Sequence, residues 1–333
     1  MKKTLVALAI LTAAGSANAG INLYDADGVK VDLSGAAEVQ YHQGFAKSVD
    51  KTDTNAKGLT EADGEIRLDD GDIAFNTTVA VSDNMNAVAA LAFEMESGKV
   101  TNDELWVGIS GDFGTMTFGR QYLIADDSGI GKDIELGGEA IDFVVADGDQ
   151  TVKYVFDNGQ FYAGVSALLN SDGKDQTSDE GQVIDGRLGA RFGDLDARVY
   201  LYSSEDMSGA NSSRDGFNLE AEYNINAFSL AASYGQIEDE TSAKAKTDID
   251  VIMLAGSYTM NKTTFAGGYN NYSVDTSGTD DINTFYANVT QQLHSNVKVY
   301  GEVGYTDLEY TDVLTNKKVD DGFGYVVGME VTF

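Results

Sequence analysis

In VKVDLSGAAEVQYH, residues 29–42, Val29, Val31, Leu33, Ala37, Val39 and Tyr41 alternate with Lys30, Asp32, Ser34, Glu38, Gln40 and His42. Successive side chains of a strand point to opposite faces, so this stretch is one long strand with an apolar face and a polar face. The same period returns along the chain, at Ala87, Ala89, Leu91, Phe93 and Met95, at Leu188, Ala190 and Phe192, and at Phe285, Ala287 and Val289. It reaches the last residue. Phe323, Tyr325, Val327, Met329, Val331 and Phe333 share one face of a terminal strand whose other face is thin, with Gly322, Gly324, Gly328 and Glu330.

The connections alternate as well. Short ones such as SDNMN (82–86), GDFG (111–114), NINA (224–227) and TMNK (259–262) separate longer polar segments, roughly 44–63, 97–102, 121–149, 170–184, 203–216, 236–249, 272–281 and 308–321. Seven short turns and eight longer loops join about sixteen strands. A water-soluble sandwich turns its apolar faces inward and has no reason to alternate its turn lengths. A transmembrane barrel turns them out to lipid, lines its interior with the polar faces, and alternates short turns with long outer loops. The polar faces formed by Asn218, Glu220 and Glu222, and by Lys298, Tyr300 and Glu302, fit the second case. The predicted fold class is therefore all-β, an antiparallel up-and-down transmembrane β-barrel with a water-filled lumen. Aromatic residues at strand ends, among them Tyr41, Phe118, Phe161, Phe192, Tyr258 and Tyr305, suit girdles at the two membrane interfaces.

Composition sharpens this picture. No run of some 18 apolar residues follows the leader, which excludes helical membrane spans. Proline is absent, which suits uninterrupted hydrogen-bonded ladders, and so is cysteine, which removes disulfides and thiolate metal sites. MKKTLVALAILTAAGSANA has a basic start, a short apolar core and a small-residue cleavage site, so residues 1–19 read as a signal peptide and residues 20–333 as a single barrel domain. Loss of Lys2 and Lys3 moves the formal charge from −32 to −34. So acidic a chain will not bind a nucleic-acid backbone. Its field favours positive solutes or metal cations.

The leader, the opening strand VDLSGAAEVQYH, the segment FGTMTFGRQY, the stretch VKYVFDNGQFYAG and the terminal Phe333 together resemble the general porins of Gram-negative outer membranes, those of vibrios in particular. The resemblance implies a homotrimer of 16-stranded barrels, each with its own diffusion pore for small hydrophilic solutes and ions, embedded among outer-membrane lipid and lipopolysaccharide. It also implies a seam between first and last strands, with Phe333 part of the signal read by the β-barrel assembly machinery. In such proteins the third outer loop folds inward and narrows the pore, with acidic loop residues opposed to a basic wall. The corresponding loop is 121–149. By that resemblance Arg67 and Arg120 form the basic wall, and Asp133 and Glu135, with Asp126 and Asp127, the acidic loop. Two departures deplete the wall: Ala36 replaces a basic residue of the first strand, and Ala146-Asp147-Gly148-Asp149 stands where another is expected. Parity turns Arg67 inward, whereas Arg120 shares the side of Met116 and Phe118 and reaches the pore only if the chain bends near Gly119.

Lys153, Arg187, Arg191, Arg198 and Lys298 have inward parity and either add to a transverse field or pair with neighbouring carboxylates. The expected result is a cation-preferring general porin; the alternative is a substrate-specific channel, which the two aromatics of the third loop, Tyr122 and Phe143, fit less well. Enzymatic function is not expected, because His42 and His294 accompany no nucleophile motif. No resident cofactor is expected either. The Asp-Gly clusters DADG (25–28), DDGD (69–72) and ADGD (146–149) are acidic enough for loosely held calcium or magnesium at the outer loops, but also have the composition of turns.

Overall fold

The computed structural model describes residues 20–45, 64–96, 98–138, 140–143, 145–169, 181–205, 212–241, 243–276, 280–307, 309–312, 317–320 and 322–333. The predicted signal peptide lies outside the described residues. From Val29–Gln43 to Val297–Thr306 each strand pairs antiparallel with the next in sequence. The terminal strand, Phe323–Thr332, then pairs on one side with Val297–Thr306 and on the other with Val29–Gln43, closing a barrel of 16 strands.

Two of the sixteen positions are built from two pieces. Ile21–Ala26 turns back at Asp27 and Gly28, both at positive φ, and pairs with Val29–Leu33. It continues the edge that Phe323–Thr332 occupies higher up, opposite Ala36–Gln43. The two pieces meet near Gly35, which exchanges both backbone hydrogen bonds with Phe333 at 3.0 Å. The second strand is broken at Gly71 into Glu65–Asp70 and Asp72–Ser82.

Side-chain exposure fixes which face is which. On the first strand Val39 and Tyr41 are 44% and 40% exposed, while Glu38 and Gln40 between them are 7% and 1%. A soluble fold would bury the first pair. Ile66 and Leu68 are likewise exposed on either side of inward-turned Arg67. The outward aromatics meet in pairs, Phe161 with Phe192 edge-on at 6.4 Å and Phe228 with Tyr258 at 4.7 Å. Such rings, apolar yet polarisable at their edges, suit a lipid–water boundary.

Several strands run farther than alternation predicts. Phe228–Glu240 and Lys246–Met260 pair through Glu240 and Lys246, so the predicted loop 236–249 shrinks to residues 241–245. Beyond the hydrocarbon both faces of the wall meet water, and the hydrophobic period fades although the hydrogen-bonded ladder continues. The third loop is also shorter than 121–149. The strand Gly114–Tyr122 runs to its end, and the next, Asp147–Asp157, already contains Asp147 and Asp149.

Candidate pore constriction

The third loop leaves the wall after Tyr122 and is pinched at its base by Leu123 N–H donating to the Ala146 carbonyl at 2.6 Å. It then turns into the barrel. One 3-10 turn, Ile124–Asp127, interrupts otherwise irregular backbone, whose N–H groups need acceptors wherever water is excluded. Inward carboxylates of the wall supply them. Ala125 N–H donates to Asp185 at 2.6 Å and Gly129 N–H to Glu220 at 2.6 Å. Farther along, Ile134 N–H donates to one oxygen of Glu302 at 2.5 Å, and Glu135 and Leu136 N–H donate to the other at 2.6 Å each. The loop thus spans the interior from the strand Gln182–Phe192 to the strand Val297–Thr306.

Apolar loop residues fasten it further. Leu123, Ile130, Ile141 and Phe143 are buried against Leu168, Val183, Tyr202, Ile237, Ile249, Val251 and Met253 of the inner wall. Leu136 packs on Tyr300 and Val326. Wall glycines leave the room. A Cβ on Gly235 would stand 2.1 Å from Ile141, one on Gly164 2.5 Å from Ile124, and one on Gly304 2.6 Å from Leu136. The thin face of the terminal strand belongs to the same device, since a Cβ on Gly324 would meet Leu136 at 2.9 Å.

Arg67 Nη2 lies 2.7 Å from Glu135 and 3.1 Å from Asp69. The anticipated wall base and loop acid are therefore in direct contact. Asp133 folds its own loop, accepting the Gly137 N–H at 3.1 Å. Asp127 pairs with Arg187 at 2.7 Å, and Asp126 sits beside it in the same turn. Arg120 does not stand on the inner wall. Its register partner is outward-facing Leu105, and Gln121, its neighbour, is turned inward and buried. Gly119 bends, with φ of 130°, and the register to the following strand shifts beside it, but Arg120 keeps the outward side of Phe118. There it grips Asp147 and Asp149 at 2.8 Å each and the Asn102 carbonyl at 2.9 Å. Alternation places Arg120 on this side; only the resemblance to general porins sets it on the pore wall.

The remaining cations of inward parity are also engaged. Arg191 lies 2.9 Å from Asp157, Arg198 is paired with Glu220 and lies 3.5 Å from Asp196, and Lys298 is paired with Glu330. Lys153 Nζ donates to the Tyr122 carbonyl at 2.7 Å. Arg187 is sandwiched by Tyr162 and Tyr200, whose ring centres lie 5.2 and 5.7 Å from its guanidinium carbon. Sequence reasoning missed these two rings, the Lys132–Glu222 pair at 3.1 Å, and the loop-binding roles of Asp185, Glu220 and Glu302. The signal available was an inward-facing acid on a strand; nothing in the sequence marks its distant amide partners.

The sequence profile of Gram-negative porins matches residues 4–311. The chain is 60% identical to porin-like protein H of Photobacterium profundum, over 100% of both chains. Among solved structures, OmpT of Vibrio cholerae in its trimer form superposes with a TM-score of 0.71 at 20% identity, over 92% of this chain and 100% of that one. An anion-selective porin from Comamonas acidovorans gives a TM-score of 0.71 at 17% identity, over 92% and 100%. At such identities the two structures establish likeness of fold.

Proposed function

The chain belongs to the Gram-negative porin family and is an outer-membrane β-barrel channel, and from that premise we propose that it is a general diffusion pore with a preference for cations. One observation carries the preference. Arg67, Lys132, Arg187, Arg191, Arg198 and Lys298 are each paired with a carboxylate. Glu38, Glu104, Asp185 and Glu302, also buried and turned inward, form no ion pair among the described residues, and they outnumber Lys153, which is held by a carbonyl rather than a carboxylate. The interior field is then negative, and its reach is set by a screening length of about 8 Å at physiological salt. The fold itself is neutral on this point, since a similar barrel serves an anion-selective porin.

Breadth of substrate follows from the loop's surface. Its apolar side chains are buried against the wall, Phe143 stacked on Tyr202 among them, so the loop turns no aromatic face among the described residues to a passing sugar. A homotrimer is part of the proposal, supported by family membership and by the trimer form of the Vibrio cholerae relative in fold. Reversal potentials across planar bilayers under a potassium chloride gradient test the selectivity; a chloride preference overturns it. Block of the potassium current by micromolar concentrations of one solute would favour a substrate-specific channel instead.

A further inference from the structure

The acidic stretch Asp69-Asp70-Gly71-Asp72 does not form a turn; it is the break in the second strand. Register pairs Asp70 with inward-facing Glu38 and Asp72 with Glu94. Both aspartates are buried, at 6% and 7% exposure. The loop after the strand Met85–Glu94 brings Glu96 to the same place, where Gly71 N–H donates to its Oε1 at 3.0 Å. One oxygen from each of Asp70, Asp72 and Glu96 lies within 4.8 Å of the other two. Asp70 Oδ1 is buried with no hydrogen-bond partner. Among the described residues no lysine or arginine pairs with any of the three, and the nearest guanidinium on that strand, Arg67, is held by Asp69 and Glu135.

Three carboxylates at this spacing repel one another strongly once water is largely excluded. We propose that Asp70, Asp72 and Glu96 bind one hard divalent cation, calcium in particular. The donors are all oxygen, which suits calcium or magnesium and not the softer metals. Calcium–oxygen distances of about 2.3–2.6 Å place two ligands of one ion at most about 5 Å apart, the size of this cluster. Magnesium demands a stricter octahedron and keeps most of its water. Calcium accepts the irregular set offered here by a strand break and a loop, and completes its shell with water. The register shift between Leu68 and Asp70 makes this arrangement possible: it turns Asp70, which shares the parity of outward Ile66 and Leu68, to the inner side, where Asp72 also points. The bound ion ties the second strand to the base of the second outer loop.

The test is equilibrium dialysis of the detergent-purified full-length protein against radioactive calcium, after stripping with EDTA and in about 100 mM potassium chloride to suppress diffuse binding to other surface acids. Three proteins are compared: the parent, Asp70→Asn/Asp72→Asn, and Glu96→Gln, the last placed in a loop so that folding is preserved. Heat-modifiable migration on gels confirms that each is folded. The parent is expected to bind one saturable calcium per chain that both variants lose, with calcium raising the thermal midpoint of the parent alone. Retention of that calcium by both variants overturns the proposal. So does its absence from the parent, in which case a proton shared by Asp70 and Asp72 relieves the repulsion.

Discussion

The Oε1 oxygen of Glu302 lies 2.6 Å from the backbone nitrogen of Leu136. The same carboxylate also takes the N–H groups of Ile134 and Glu135 and one from the Asn288 side chain. A single wall residue thereby organises the tip of the loop that crosses the interior. Replacing Glu302 by Gln keeps the volume but removes the charge and turns one acceptor into a donor facing an N–H. Each charge-assisted bond contributes about 1.5–3 kcal/mol, and a stranded donor adds its own desolvation cost. The loop tip is expected to detach. Single-channel records should show a larger and noisier open conductance, and the thermal midpoint should fall.

Gly235 is expected to tolerate no side chain while Ile141 occupies the space beside it. Gly235→Val should cost about 1–3 kcal/mol through overpacking. Combining it with Ile141→Ala should recover part of that loss, because the two sites share one volume. A double-mutant cycle on thermal midpoints measures the coupling, and additive effects would show that loop and wall do not interlock here.

Asp127→Asn leaves the Arg187 guanidinium between two tyrosine rings without its carboxylate. The freed positive charge should move the reversal potential toward chloride. Arg187→Gln should move it the other way. Both shifts should shrink as salt is raised, since screening shortens the field.

Glu135→Gln should act in the same direction as Asp127→Asn but more weakly. Arg67 keeps a second carboxylate, Asp69, at 3.1 Å, so less charge is uncovered. Equal shifts for the two variants, read as reversal potentials, would contradict this ordering.

A side chain on Gly35 would meet the Phe333 ring and the Asp72 carbonyl, each at 2.6 Å. Gly35→Val should therefore lower the yield of folded protein, measured as the heat-modifiable fraction after refolding into detergent. Phe333→Ala should leave refolded stability closer to the parent while reducing assembly in cells, if the terminal aromatic is read by assembly machinery. Equal losses in both settings would reduce Phe333 to a packing residue.

The fold was legible because each strand of such a wall divides two solvents. Val39 and Tyr41 against Glu38 and Gln40 record lipid on one side and a polar interior on the other. The pattern weakens where that division ends. Ile249, Val251 and Met253 face inward yet are apolar, because the third loop covers them, and from Val251 to Leu254 they form with outward Ile252 and Leu254 a continuous apolar run. Their partners Ile141 and Phe143 stand far away in sequence and carry no mark of the contact. Arg120 lies where alternation puts it, on the side of Met116 and Phe118, and the bend at Gly119 does not bring it to the inner wall. The pairing of Arg187 with Asp127 depends on both the path of the loop and the twist of the wall, neither of which a linear string encodes.

The mutual backbone bonds of Gly35 and Phe333 mean that the ring is hooped by its own extremities. Where Phe323–Thr332 lies between its two neighbours, a cylinder fastened in this way leaves no open strand edge, so intermolecular strand addition has nowhere to begin there. By the same token no fragment lacking its last stave can be watertight. Closure of the wall must wait for the terminal strand, which pairs with both of its neighbours.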